Sequence, residues 1–306
     1  MGLTRNFSTY CFLFYVLGIF ANDNCDKSKC PGPLNYYQDL KCTPIYKSPE
    51  DCCPYKYNCD HLDQRSTTKC YINGHEYEVG EQLRDEDKNP CSKGCFCSNQ
   101  RGVASFICAI VDCFSRFPSN PNCYLPRNAT QCCPGKQVCV ERQEDIPTCE
   151  VDGKIYKDGE NFSPAAEPQK NCYCGPGYTG ENIEPFCVTL VDTCRTELNH
   201  AREVHDNCAP VYHKPESLSD GCPIQYRCQN KRDQVVPNNL ASESNSEVIC
   251  KFGDLTMNYG DELNQATNYD SACVKCTCEV GPIPSCYRLP DSECDITNHP
   301  PFDNNK

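Results

Sequence analysis

The chain has no tryptophan and only two methionines among its 306 residues, and its apolar residues other than cysteine are sparse. Such a chain cannot bury enough surface to offset the entropy of ordering it. It also lacks any cluster of lysine and arginine. The densest charged run, Arg84-Asp85-Glu86-Asp87-Lys88, is mixed in sign and reads as a solvated loop. With a net charge of −13, the chain is repelled by polyanions, which excludes nucleic acid and heparin as partners. Long apolar runs are missing too. Tyr10 to Phe20 is eleven residues, against the roughly 20 of a membrane span. Behind Arg5 and ahead of Ala21, that run reads as the core of a secretory signal peptide over residues 1–21. No membrane span is expected elsewhere, and the tail to Lys306 carries no lipid-anchor signal.

Catalytic signatures are absent as well. There is no Gly-x-Ser-x-Gly, His-Glu-x-x-His or phosphate-loop pattern. The six histidines (His61, His75, His200, His205, His213 and His299) are scattered, and His200 and His205 are not one helical turn apart. The chain reads as no enzyme, with no metal and no cofactor.

Cysteine fills the gap. Of 31 cysteines, Cys11 leaves with the signal peptide, and 31 − 1 = 30 remain, an even number. That density marks a disulfide scaffold, which persists only in an oxidising compartment, so the protein is expected to be secreted. Each bridge contributes about 2–4 kcal/mol, so reduction should unfold the chain.

An internal repeat organises these cysteines. Ten residues after Cys70, Cys149 and Cys250 stand Gly80, Gly159 and Gly260, each followed by an acid: Glu81, Glu160 and Asp261. Asn73-Gly74 and Asp152-Gly153 are the dipeptides of a tight hairpin turn, flanked by β-formers such as Tyr71, Ile72, Tyr77 and Val79. In the third copy Gly253-Asp254 reverses the pair, which leaves its turn type open. Between the hairpins lies a second module: Cys53-Pro54, Cys133-Pro134 and Cys222-Pro223 are each followed by four residues and a cysteine. These segments lack periodicity and read as irregular loops held by cross-links. Thr196 to Val204 is the only stretch long enough for an amphipathic helix, and none is assigned there.

The ten cysteines from Cys70 to Cys139, with the hairpin and the Cys132-Cys133-Pro134 element, resemble the von Willebrand factor type C module of chordin-like and crossveinless-type extracellular proteins. Two departures stand out. Leu83, Phe162 and Leu263 occupy a position where that family usually has tryptophan, and the gap from Cys91 to Cys95 is one residue longer than usual. The resemblance implies a small, disulfide-rich, mostly β fold in tandem repeats forming an extended array. It divides the chain into a C-terminal half-module (22–60), a complete module (69–140), a module lacking one bridge (148–229), a polar, flexible linker (230–248), an N-terminal half-module (249–295) and a tail (296–306).

For the complete module the resemblance implies Cys70–Cys97, Cys91–Cys132, Cys95–Cys108, Cys113–Cys133 and Cys123–Cys139. Carried to the next module, it implies Cys149–Cys174, Cys172–Cys187, Cys194–Cys222 and Cys208–Cys228. That module lacks the counterparts of both Cys91 (near Pro168-Gln169) and Cys132 (Gly221), as loss of a single bridge requires, and a looser hinge between its halves is expected. At the ends the pattern gives Cys30–Cys53, Cys42–Cys59, Cys250–Cys278 and Cys276–Cys286. Cys25 and Cys52, and Cys273 and Cys294, are left over. Local pairing as Cys25–Cys52 and Cys273–Cys294 is the first expectation, and bonds between chains, giving a disulfide-linked oligomer, the alternative.

Asn128-Ala129-Thr130 reads as an N-glycosylation acceptor, whereas Asn161-Phe162-Ser163 is set aside because Pro164 follows. Tyr71, Ile72, Tyr77, Val79, Phe106 and Ile107, with Ile110, form the candidate binding face, since so small a sheet cannot hide both sides. The resemblance implies an extracellular protein ligand, a dimeric cystine-knot growth factor of the bone-morphogenetic-protein type. The alternatives are a structural matrix component assembled by disulfides, and a protease inhibitor or a secreted defence or venom component. Lys231-Arg232, inside the linker, is a candidate cleavage site.

Overall fold

The computed structural model describes residues 25–100, 102–109, 111–113, 118, 120–167, 170–189, 194–213, 218–219, 221–238 and 247–299. The signal segment 1–21, Ile110, Pro168-Gln169, linker residues 239–246 and the tail from 300 lie outside them. The fold is small-scale, disulfide-rich and mostly β, built from short antiparallel pairs.

Three hairpins realise the repeat. Cys70–Ile72 pairs with His75–Tyr77, Thr148–Val151 with Lys154–Lys157, and Ile249–Phe252 with Leu255–Asn258. In the first two turns both central residues take positive φ, 54° and 83° at Asn73-Gly74 and 53° and 75° at Asp152-Gly153, as a type I′ turn requires. In the third only Gly253 does, at 55°, which is the glycine-first pattern of a II′ turn. The reversed dipeptide therefore selects the other hairpin turn.

The Gly-acid pair now has a physical reason. Gly80, Gly159 and Gly260 sit at φ 93°, 86° and 82°, where a side chain is strained. Each donates its N–H to the carbonyl of the cysteine bridged to its own hairpin, Cys97, Cys174 and Cys278, at 2.8–2.9 Å. The following acid accepts the N–H of the same cysteine on its carbonyl. Its carboxylate accepts the backbone N–H three residues upstream, at Glu78, Lys157 and Asn258. Leu83, Phe162 and Leu263 fill the small cores beneath, all buried.

The loop modules are less irregular than their sequences suggest. Each holds a short antiparallel pair bracketed by a disulfide: Thr43–Ile45 with Lys56–Asn58 near Cys42–Cys59, Cys123–Tyr124 with Val138–Cys139, and Ala209–His213 with Gln225–Arg227 near Cys208–Cys228. Strands of two to five residues are too short to leave a period in sequence. Among the described residues four short α-helices also form: α1 (Leu34–Asp39), α2 (Asp60–Asp63), α3 (Thr196–Asn199) and α4 (Ala201–His205). The last two occupy the stretch for which no helix is expected. They are single turns held by packing, Leu198 of α3 being buried in the first hairpin's core.

The structure departs from an end-to-end array. A six-stranded sheet joins Gln225–Arg227, Ala209–His213, Ser285–Arg288, Val274–Thr277, Glu262–Leu263 and Val235–Val236 in that order. It fuses the second half of the 148–229 segment to the last hairpin unit through a parallel pair, Val211 opposite Cys286. The first half of that segment has its own three-stranded sheet, Asn161–Phe162, Lys170–Tyr173 and Cys187–Thr189. The first and last described units also meet: the Tyr37 hydroxyl donates to the carbonyls of Val280 and Ile283, at 2.9 and 3.1 Å, and accepts the Ile283 N–H. Residues 230–238 are not free linker either, because Val235–Val236 forms the edge strand and Asp233 is buried.

All thirty cysteines after Cys11 are bonded within the chain. The pairs are those set out above, with Cys25–Cys52 and Cys273–Cys294 closing locally. None of the thirty is left for a bond between chains.

Candidate binding surfaces

The first hairpin unit sorts its candidate residues by strand alternation. Ile72, Tyr77 and Phe106 face the core and are buried at 1%, 0% and 8% exposure, with the Tyr77 and Phe106 rings edge to face. These three belong to the core rather than to a surface. Tyr71 is half-buried beneath the Arg65 guanidinium. Val79 and Ile107 are exposed, at 53% and 37%. Sequence reasoning missed their neighbour Phe96, 39% exposed and directly opposite Ile107 in the pair Lys93–Ser98 with Ser105–Ala109. Gln82 bridges to Phe96 on its other side. The signal was available: Phe96 lies between Cys95 and Cys97, and cysteines pointing inward force the residue between them outward.

The tip of this hairpin is held from both sides. Asp87, nearly enclosed, accepts from Asn73 Nδ2 at 3.0 Å, pairs with His75 Nδ1 at 2.7 Å and accepts the Tyr77 hydroxyl. Burial pushes the Asp87 carboxyl up, but the hydrogen bonds from Tyr77, Asn73 and His75 outweigh it and hold the group below the usual carboxylate range. Tyr77 is pushed up to about 12, first by burial and then by its bond to Asp87. His75, Glu86 and Asp87 bring three potential ligand atoms within 4.8 Å of one another, but the Asp87 oxygens are occupied by this network. From the other side, Glu197 of α3 accepts the Asn73 N–H at 2.7 Å and pairs with Arg65 at 2.5 Å.

The 120–140 segment packs against the second hairpin. The Ala129 N–H donates to Pro185 at 2.9 Å, and the Leu125 carbonyl lies where a Cβ on Gly159 would stand. This contact buries Asp158, which takes the repeat position of Val79 and Tyr259. No hydrogen bond of ordinary length reaches either carboxylate oxygen. Burial raises the Asp158 pKa, and Tyr124 only partly offsets this. The folded state therefore holds the proton more tightly than the unfolded chain does. Stability from this group is full below the unfolded carboxylate value and is lost as pH rises through the raised folded value. Asp158→Val, restoring the residue type of the first copy, is expected to stabilise the protein at neutral pH by about 1–3 kcal/mol and to flatten stability against pH just above the ordinary carboxylate range. Urea titrations at a series of pH values check both.

Asn128 is half-buried in a turn, its side-chain oxygen accepting from the Thr130 N–H at 3.0 Å and hydroxyl at 2.9 Å. A cavity of about 320 Å³ lies where α1, α2, α4 and the last hairpin unit converge. Among the described residues no helix is long and apolar enough to cross a membrane. No family model matches the chain, and no solved structure matches it.

Proposed function

We propose that the protein is a secreted extracellular binding protein, without catalytic activity, whose ligand is a dimeric growth factor of the bone-morphogenetic-protein type. The observation that carries this reading is the Phe96–Ile107 pair, a rigid apolar surface on a sheet pinned by Cys70–Cys97 and Cys95–Cys108. Exposed aromatic and branched side chains on a pre-ordered frame bind at low entropic cost. The cysteine order and hairpin repeat, similar to those of type C modules, supply the ligand class, and fifteen disulfides accord with an oxidising compartment. A function as a disulfide-assembled matrix component draws less support, because the terminal cysteines close within the chain.

The test is direct binding of the oxidised chain to a panel of dimeric growth factors at physiological salt. Saturable binding by the oxidised form, lost on reduction, is expected. Phe96→Asp with Ile107→Asp should weaken it by about 30-fold, the scale of a hot-spot residue. An absence of binding across the panel, or binding indifferent to these changes, would remove the proposal.

A further inference from the structure

The cavity between the chain's ends is a second candidate surface of different chemistry. We propose that it binds a small organic cation, an amine carrying a single aromatic ring system. Its volume, about 320 Å³, falls at the small end of the roughly 300–1,000 Å³ usual for small-molecule sites. Tyr36 and Tyr37 of α1 line it together with Leu62, Val204 and Ile283. These come from the N-terminal unit, from α4 and from the last hairpin unit, and Tyr71 and Ala104 of the first hairpin unit close the remaining side, so the site exists only where these parts meet.

The walls are pre-ordered. Tyr37 stacks on Tyr57 with ring centroids 4.4 Å apart, and its hydroxyl is fixed at Val280 and Ile283. Cys42–Cys59 locks the strand pair that carries Tyr57. A ligand entering such a site loses little to reorganisation of the protein.

The charges around it choose the ligand's sign. Each cationic side chain on the lining already faces a carboxylate: Arg65 faces Glu197, Lys251 faces Asp63 at 3.8 Å, and Lys69 turns to Glu76 and Glu78. Asp60, exposed on the lining, has no cationic partner among the described residues and is held only by Asn58. The net charge of −13 raises the local concentration of any cation as well. A neutral apolar body against Leu62 and Val204 and an ammonium group at Asp60 satisfy both ends of the site.

The absence of tryptophan makes the test direct, since an indole probe is the only indole in solution. The oxidised full chain is titrated with tryptamine, with tryptophol as the neutral analogue and indole-3-acetate as the anion, and probe fluorescence is read. Saturable binding of tryptamine, at least tenfold tighter than either analogue, is expected. Asp60→Asn should weaken tryptamine about tenfold without moving the thermal midpoint, because Asp60 is exposed. Ala201→Phe, placed on the lining, should abolish binding. No saturable binding of tryptamine, equal binding of the three indoles, preference for the acetate, or an unaffected Asp60→Asn variant would each overturn the assignment.

Discussion

Asp233→Ala is expected to cost about 3–5 kcal/mol and to unfold the C-terminal sheet well before the rest of the chain, because it strands a buried charge. The Arg227 and Asp233 side chains are both fully buried and meet at 2.8 Å. Arg227 also donates to the Asn264 carbonyl at 2.7 Å and lies over the Phe252 ring. Asp233 accepts from the Asn230 N–H at 2.7 Å and from the Thr267 hydroxyl at 2.6 Å. The pair thus ties the segment 227–233 to the last hairpin unit. Burial lowers the Arg227 pKa and Asp233 works against that, so the buried guanidinium relies on this carboxylate to offset the cost of its desolvation. Removing Asp233 leaves that group in a site where its Nε already lacks a partner. The double variant Arg227→Met with Asp233→Leu should lose less than Asp233→Ala alone, since no charge is left behind. Urea unfolding followed by signals from the sheet and from the first hairpin separates local from global loss. The same pair bears on Lys231-Arg232. The bond after Arg232 leads into a buried residue and an edge strand, so this dibasic site is poorly placed for a protease.

The hairpins were legible because their information is local. Asn73-Gly74 and Asp152-Gly153 declare their turns in two residues, and the Gly-acid pair declares the clasp on Cys97 and Cys174. The cysteine order carried the disulfide frame in the same way. What the sequence hid is everything that depends on distant partners. Tyr37 and Ile283 are 246 residues apart, and nothing near either marks them as a pair. Val211 and Cys286 pair in parallel across two units, and strands of four and five residues carry too short a pattern to announce it. Asp158 could have been singled out as an acid where the other copies have Val79 and Tyr259, but its burial comes from Leu125 and Tyr124, outside its own repeat. Half the candidate face was misassigned for a related reason: Ile72, Tyr77 and Phe106 are the apolar residues most needed inside so small a core. Phe96, placed between two cysteines, was free to face outward.

The contact between the ends makes the remaining strong prediction. Tyr37→Ala removes a fully buried ring, its stack on Tyr57 and every hydrogen bond of its hydroxyl. Such truncations cost about 3–5 kcal/mol. In most folds a loss of that size would unfold the whole domain. Here each unit is closed by its own disulfides, Cys25–Cys52, Cys30–Cys53 and Cys42–Cys59 on one side and Cys250–Cys278 and Cys276–Cys286 on the other. The loss should therefore appear as undocking. The Tyr57 N–H, which donates to the Gly281 carbonyl at 2.9 Å, and the Ile283 N–H, which donates to Tyr37 itself, report on the junction. Their hydrogen exchange should accelerate by about 10²–10⁴-fold, the rate equivalent of that free energy, while the amides of Gly80 and Cys97 in the first hairpin unit stay protected. Tyr37→Phe, which keeps the stack and strands the Ile283 N–H, should fall between the two. Uniform acceleration across the chain would mean that the units depend on one another for folding. No acceleration at Tyr57 and Ile283 would mean that the parallel pair at Val211 and Cys286, rather than Tyr37, determines how the ends are held.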